Sequence, residues 1–287
     1  MKKIPVLILA LFLISSCKKE TDDSKWERSF GQGNAFFIKS SPDSGIIACG
    51  ILDNKPYLIK LSEKKVLVTE YKSETDGLFS SVWSETSYFI AAGNSSRKML
   101  LTRIDNKGLE VWDTVIAAGF DIDLTNLSYT GNGTLLATGT ASADSSDAGA
   151  TGLLFVRFDT TGHVIEHKEI TGTGFVSAEK AFVDGQGNIF LPLTRRSTGA
   201  KTGASVAKYN SDFQKLWETE LYNNPNFAAA GYGIVVDGSG NIYVTGKTEV
   251  SRESGTLDNS FLASLNPSGS LRWKKQSRLR THFNSAF

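Results

Sequence analysis

Two cysteines, three histidines, six prolines and two methionines are all that 287 residues supply of those types. Two cysteines make no disulfide framework, and so few cysteines and histidines exclude a zinc scaffold as the basis of the fold. Charge of one sign is missing too. The 31 basic residues stand against 30 acidic ones, which removes the bulk electrostatic argument for a nucleic-acid partner. No long window carries the 3.6-residue apolar period of an amphipathic helix. No apolar run reaches the about 20 residues of a membrane-spanning helix. What remains is ordinary globular material, 40% hydrophobic with 27 glycines, so disorder and collagen are excluded for the bulk of the chain.

The one apolar run of note is N-terminal. Lys2 and Lys3 precede the 11 residues Ile4 to Ile14, then Ser15, Ser16 and Cys17. The length suits the h-region of an export signal. Ile14-Ser15-Ser16-Cys17 resembles the bacterial lipobox. That resemblance implies cleavage after residue 16 and lipidation of Cys17, with the acyl chains holding the protein on a membrane. The polar tether after it, KKETDDS, is similar to those of lipoproteins of the Bacteroides–Flavobacterium group. The expected organisation is therefore a signal peptide over 1–16, a lipid-anchored tether over 17–25 and a folded domain over 26–287. The expected location is the cell envelope, anchored in the outer membrane by lipid, with the periplasmic and cell-surface faces both open. Cys49 is left without an internal partner and reads as a small buried hydrophobe.

Beyond residue 25 the dominant signal is repetition. The segments GIIACG (45–50), YFIAAG (88–93), TLLATG (134–139), NIFLPL (188–193) and NIYVTG (241–246) end at Gly50, Gly93, Gly139, Leu193 and Gly246, in steps of 43, 46, 54 and 53 residues. Each is preceded by an apolar strand. Each is followed by a loop, a third strand, a polar turn and a fourth strand, as in MLLTRIDNKGLEVWDT (99–114) and SFLASLNPSGSLRWKKQ (260–276). Four strands of five to six residues with short turns need roughly 45 residues. Five such units predict an all-β fold, a β-propeller of four-stranded blades. Trp112, Trp217 and Trp273 fall in the fourth strands, with Val68 and Glu166 read as their counterparts. The expected role of these rings is packing between neighbouring blades.

The unit 231–273, GYGIVVDGSGNIYVTGKT…SFLASLNPSGSLRW, resembles the bacterial propeller repeat of the SBBP type. Residues 178–193 match its first half but carry Leu193 in place of the glycine. The resemblance implies the propeller fold and an exported location, and it carries no catalytic residues. Two pieces fit no complete unit. WERSFG (26–31) reads as a leading fourth strand, and RLRTHFNSAF (278–287) as the stub of a further first strand. The alternatives are a six-bladed ring with a remnant blade, a truncated or open ring, and a five-bladed ring with a frayed tail.

Motifs for chemistry are sparse. His163-Val164-Ile165-Glu166-His167 spells H-x-x-E-H, but in a strand, residues four apart lie roughly 13 Å from each other. Two imidazoles at that span do not share a zinc. Ala143 to Asp147 lacks the ligand density of an EF-hand. TGTGF (171–175) and DGQGN (184–188) precede no helix, so they read as hairpins, not phosphate cradles. Outside H-x-x-E-H only His282 remains, which leaves a nucleophilic triad almost without a base. Arg272, Lys274, Lys275, Arg278 and Arg280 read as a charged outer strand that resists edge pairing.

The functional expectation is a non-catalytic binding or scaffold domain for a protein or glycan, needing no cofactor, no metal and no nucleic acid. The alternative is a carbohydrate-active propeller enzyme, a lyase or glycosidase using carboxylates alone. Inward carboxylates from several blades would favour that alternative. The loop between second and third strands lengthens in the last three units, to about 140–152, 195–204 and 247–259. The expected binding rim there is Asp144 and Asp147, then Arg195, Arg196 and Lys201, then Arg252, Glu253 and Asp258. Insertions of this kind collect on one face of a repeat protein.

Overall fold

The computed structural model describes residues 32–116, 121–142, 151–171, 174–196, 201–224, 226–252 and 255–277, all within the unit Gln32–Phe287. Cys17, the tether, 26–31, 278–287, Asp144, Asp147 and Glu253 lie outside the described residues. Among the described residues there is no helix. The described residues form five antiparallel blades of a β-propeller.

Blade 1 comprises β1 (Gly33–Ser40), β2 (Ile46–Leu52), β3 (Lys55–Leu61) and β4 (Leu67–Lys72). Blade 2 comprises β5 (Leu78–Ser84), β6 (Tyr88–Ser95), β7 (Lys98–Asp105) and β8 (Glu110–Ile116). Blade 3 comprises β9 (Asp121–Gly131), β10 (Thr134–Ser142), β11 (Thr151–Asp159) and β12 (Val164–Thr171). In blade 4 the first position is split into β13 (Phe175–Ala178) and β14 (Phe182–Val183), followed by β15 (Ile189–Arg196), β16 (Thr202–Tyr209) and β17 (Lys215–Tyr222). Blade 5 comprises β18 (Ala229–Val236), β19 (Ile242–Arg252), β20 (Gly255–Leu265) and β21 (Leu271–Gln276). Strands pair in chain order within each blade, and both β13 and β14 pair with β15.

The turns arise from their residues. Asp53-Asn54 and Ser96-Arg97 have positive φ at both positions, the geometry of the two-residue turns whose twist suits a hairpin. The turn from third to fourth strand is fixed by an Asx side chain in blades 2 to 5 and by Ser62 Oγ in blade 1. Asp105 Oδ1 accepts from the backbone N of Lys107 and Leu109, and Asn266 Oδ1 accepts from that of Ser270. The left-handed position that closes these turns is glycine at 108, 162 and 269, where a side chain would be strained.

The repeated glycine at the end of the second strand has a different cause. An added Cβ at Gly50, Gly93, Gly139 or Gly246 would lie 1.9, 1.9, 2.2 or 2.1 Å from the carbonyl oxygen of Asn34, Leu78, Asp123 or Ala230. A β-bulge in the first strand pushes that carbonyl inward, leaving Phe36, Ser80, Thr125 and Tyr232 as the extra residues. Bulges of this kind re-aim side chains. Where Leu193 replaces the glycine, the first strand breaks, and Glu179 to Ala181 separate β13 from β14.

Blades pack in sequence, with one apolar cluster at each junction. Opposite the glycine position the third strands carry Tyr57, Leu100, Leu154, Ser205 and Phe261. The next residues along are Leu58, Leu101, Phe155, Val206 and Leu262. The first four are 0% exposed and reach into the following blade, whereas Leu262 is 39% exposed. The first-strand positions facing the preceding blade show the same split. Val82 and Leu127 are 1% and 5% exposed, but their counterpart Ile38 is 69% exposed.

The fourth-strand position explains the tryptophans and corrects one alignment. Trp112, Trp217 and Trp273 pair with Arg103, Lys208 and Ser264. The same position opposite Lys60 and Arg157 is Thr69 and Glu166. The counterpart in blade 1 is thus Thr69, not Val68; the left-handed turn position there is Lys65 at φ 62° rather than a glycine, and Thr69 lies four residues past it as the tryptophans do past theirs. Trp112 lies against Gly162 of the next blade and Trp217 against Gly269. At the junction of blades 3 and 4 the parts are exchanged. Glu166 stands on the strand, and Phe213 takes the glycine place at φ 58°. There Phe213 stacks on Phe155 with ring centroids 4.9 Å apart.

Candidate functional site

The expected rim lies on the edge where second strands turn into third strands. Each of its three long connections is partly described. The segment 247–259 is mostly strand rather than loop, because β19 runs to Arg252 and β20 starts at Gly255 in continuous register. Arg252 is placed on that backbone, in register with Gly255. Asp258 is exposed, and its Oδ2 accepts from Lys247 Nζ at 3.1 Å within the same hairpin. Lys201 reaches Glu249 at 3.6 Å, tying blade 4 to blade 5.

Arg195 and Arg196 end β15 and share a cleft of about 290 Å³ with Ser205, Glu218, Glu220 and Tyr222. Sequence reasoning missed the last three. Their signal was the alternation Glu218-Thr219-Glu220 in the fourth strand, which puts two carboxylates on one face. Arg195 Nη2 donates to Glu218 Oε2 at 2.6 Å, and its Nε also contacts that carboxylate. Ser205 Oγ and Lys215 Nζ donate to Glu218 as well, at 3.0 and 3.2 Å. With side chains 25% and 17% exposed, this is the most enclosed ion pair among the described residues. Burial works to raise the Glu218 carboxyl, but the Arg195, Ser205 and Lys215 donors outweigh it and hold the group below its ordinary value. Glu218 is therefore a fixed anion that orients Arg195.

The remaining groups of the cleft are less committed. Glu220 Oε2 accepts from Asn223 Nδ2 at 2.9 Å. Tyr222 is packed by Phe261 and by Lys274, whose Nζ lies 4.3 Å from the ring centroid and donates to Leu221 O. Lys274 is thus a staple between blades 4 and 5, and not purely an outward charge. Among the described residues no hydrogen bond engages the Tyr222 hydroxyl, and no bond or ion pair engages the Arg196 guanidinium.

A second polar group sits at the innermost strands. Lys180 Nζ donates to Phe36 O at 3.1 Å and lies 4.9 Å from the Phe37 ring, so blade 4 meets blade 1. Thr125 Oγ1 donates to Ala178 O at 2.7 Å, joining blade 3 to blade 4. Asp123 keeps solvent contact but is walled in on its other sides, and that desolvation raises its carboxyl against the bond from Asn94. Burial raises Glu179 likewise, with the nearby Asp123 charge adding to it.

The other motifs fall on structural positions. The H-x-x-E-H run lies at the turn and start of β12, with Glu166 Oε2 accepting from Arg157 at 2.7 Å. Burial pushes the Cys49 thiol up to about 12, which leaves it inert at neutral pH.

Residues 230–251 match the family described as SBBP, beta-propeller repeat, so blade 5 carries such a repeat. No curated protein matches the chain. Among solved structures, a protein from Lactobacillus plantarum is 11% identical, with 85% of this chain and 84% of that one covered at a TM-score of 0.54. The α-L-arabinanase of Penicillium chrysogenum, solved with arabinobiose, is 11% identical, with 71% and 66% covered at 0.51. A protein of unknown function from Bacteroides caccae is 14% identical, with 77% and 90% covered at 0.46. For the first two, at these identities, the likeness is one of fold.

Proposed function

We propose that the chain is an exported lipoprotein whose propeller is a non-catalytic binding or scaffold module for a protein or glycan. In this reading Cys17 carries the lipid that holds it in the outer membrane of the cell envelope. The partner lies along the hairpin edge of blades 3 to 5, the rim that includes Arg195, Arg196, Lys201, Arg252 and Asp258. The observation that carries the reading is the cleft itself. One ion pair is locked in place by two further donors, and beside it stand an uncommitted guanidinium and an uncommitted phenol. Fixed polar groups beside adaptable ones suit recognition. Shortening the 140–152 and 197–201 connections and the 247–259 hairpin to the two-residue turn of blade 1 tests it. Capture of a partner from the native envelope is expected to be lost with the fold intact. Undiminished capture would move the site off this edge. Cys17→Ala is expected to shift the protein from the membrane to the soluble fraction.

One observation favours a second reading, a carbohydrate-active enzyme using carboxylates. Asp123 and Glu179 come from different blades, sense each other and have raised proton affinity, as a general acid requires. The Penicillium arabinanase, whose fold is of this kind, is complexed with arabinobiose in that protein's structure. Glycoside hydrolysis by the wild type that is lost in Asp123→Asn and Glu179→Gln would establish this reading over the first.

A further inference from the structure

The cleft on blade 4 narrows the chemistry of the partner, provided that the rim is a binding surface as proposed for it. Its volume of about 290 Å³ lies at the lower end of small-molecule sites, enough for one ring and not for an extended oligomer. Its charges cancel. Arg195 is neutralised by Glu218, which leaves Arg196 opposite Glu220, one cation and one anion. A ligand with net charge would gain from one of these and be repelled by the other. The groups without a full set of partners are a planar donor fork (Arg196), a carboxylate with one oxygen committed to Asn223 (Glu220), and a phenol able to donate or accept (Tyr222).

Such a set asks for adjacent groups that each donate and accept within one small volume. Vicinal hydroxyls of a sugar ring meet that demand. One can accept from the guanidinium while its neighbour donates to the carboxylate. A peptide backbone spaces its groups about 3.4 Å per residue along an extended line and leaves such a compact site partly unsatisfied, at the cost of desolvating unpaired polar atoms. An apolar ligand satisfies none of them. We propose that this cleft binds a single neutral pyranose residue of a glycan, with Arg196 and Glu220 bridging adjacent hydroxyls and Tyr222 bonding a third. Arg195 is a positioning residue, held by Glu218, and shapes the wall without being the discriminating donor.

The test uses the full chain and a panel of methyl pyranosides, both neutral sugars and hexuronates, read by saturation-transfer NMR and by titration. At least one neutral glycoside is expected to bind. Arg196→Ala and Glu220→Gln are each expected to weaken it at least tenfold, and Tyr222→Phe several-fold, with unchanged melting temperature. Glu63→Gln, in the exposed turn between β3 and β4 of blade 1 and outside the rim, leaves affinity unaltered. Should no neutral glycoside bind the wild type, or should both Arg196→Ala and Glu220→Gln bind normally, the proposal fails. A hexuronate bound as tightly as any neutral glycoside overturns the neutral-sugar assignment. Partner capture from the envelope distinguishes the two levels. If capture persists in Arg196→Ala/Glu220→Gln, the binding module stands and the sugar cleft falls. If loop shortening leaves capture untouched, the broader reading is the one that is lost.

Discussion

Leu101 and Leu262 occupy the same place in the repeat, one strand position past the residue opposite the glycine. One is sealed between blades and the other is 39% exposed. Val82 and Ile38 make the same contrast on the opposite face of a blade. Sequence writes the same apolar pattern into every blade because each must be able to pack on both sides. What differs, among the described residues, is whether another blade packs on that position. The lesson is that hydrophobicity at a repeat position reports the potential for an interface, and burial alone reports the interface.

The largest expected effects break that comparison. Leu101→Ala and Phe155→Ala remove side chains that are wholly buried between blades and are expected to cost about 3–5 kcal/mol, transfer and cavity together. Leu262→Ala and Ile38→Ala are expected to cost under about 1 kcal/mol, because the space they leave opens to water. Urea unfolding of the four variants measures this directly. Equal losses at Leu101 and Leu262 would mean that Leu262 is covered in solution.

The next test concerns the aromatic exchange between neighbouring blades. At two junctions a tryptophan on one blade lies on a glycine of the next, and at the junction of blades 3 and 4 the ring comes from the turn instead. Arg157 supports that exchange. Its Nη1 donates to Glu166, and its guanidinium carbon lies 4.8 Å from the centroid of the Phe213 ring. Both arrangements put one aromatic ring into one gap. Trp217→Glu alone empties the gap, and Gly269→Phe alone overfills it, each at about 2 kcal/mol or more. The double variant is expected to recover at least about 1 kcal/mol in a double-mutant cycle. Additive losses would show that the two sides do not share the gap.

These contrasts also mark what a single sequence could disclose. The five complete units and their strand order were legible because turn residues and apolar strands recur at near-constant spacing. The tryptophan partnership was half legible. A ring four residues past a turn is visible, but its counterpart in blade 1 slipped from Thr69 to Val68, because the left-handed turn position there is Lys65 and no glycine marks it. The glycine at the end of each second strand was visible as a pattern. Its cause, a carbonyl pushed in by the neighbouring bulge, is a tertiary fact. In the cleft, Arg195 and Arg196 were marked by their place in a long connection. Glu218, Glu220 and Tyr222 were not, since pairing across β16 and β17 joins segments whose register only the fold sets. Lys180 meeting blade 1 from blade 4 had no local signal at all.

The smallest expected effect compares an ion pair inside the arc of blades with one near its first blade. Arg195–Glu218 is enclosed on both sides, while in Lys60–Asp43 the lysine is buried and half of the acid side chain is in water. Lys60 Nζ donates to Asp43 Oδ2 at 2.6 Å, and that bond, with one from Ser41, lowers the Asp43 carboxyl to about 2. A carboxyl depressed in the folded state contributes stability that is fully present above its unfolded value of about 3.9. That contribution is lost as pH falls through the folded value. The window for Asp43 therefore runs from about pH 4 down to about 2. Solvent screening at the exposed acid keeps the contribution small. Asp43→Asn is expected to be less stable than the parent at about pH 7, and the two urea midpoints should converge as pH drops from about 4 toward about 2. A gap that stays constant through that range would show that the Asp43 charge is not what holds Lys60. In that case the ring of Phe89, with its centroid 5.9 Å from Lys60 Nζ, would be the partner that keeps the buried ammonium in place.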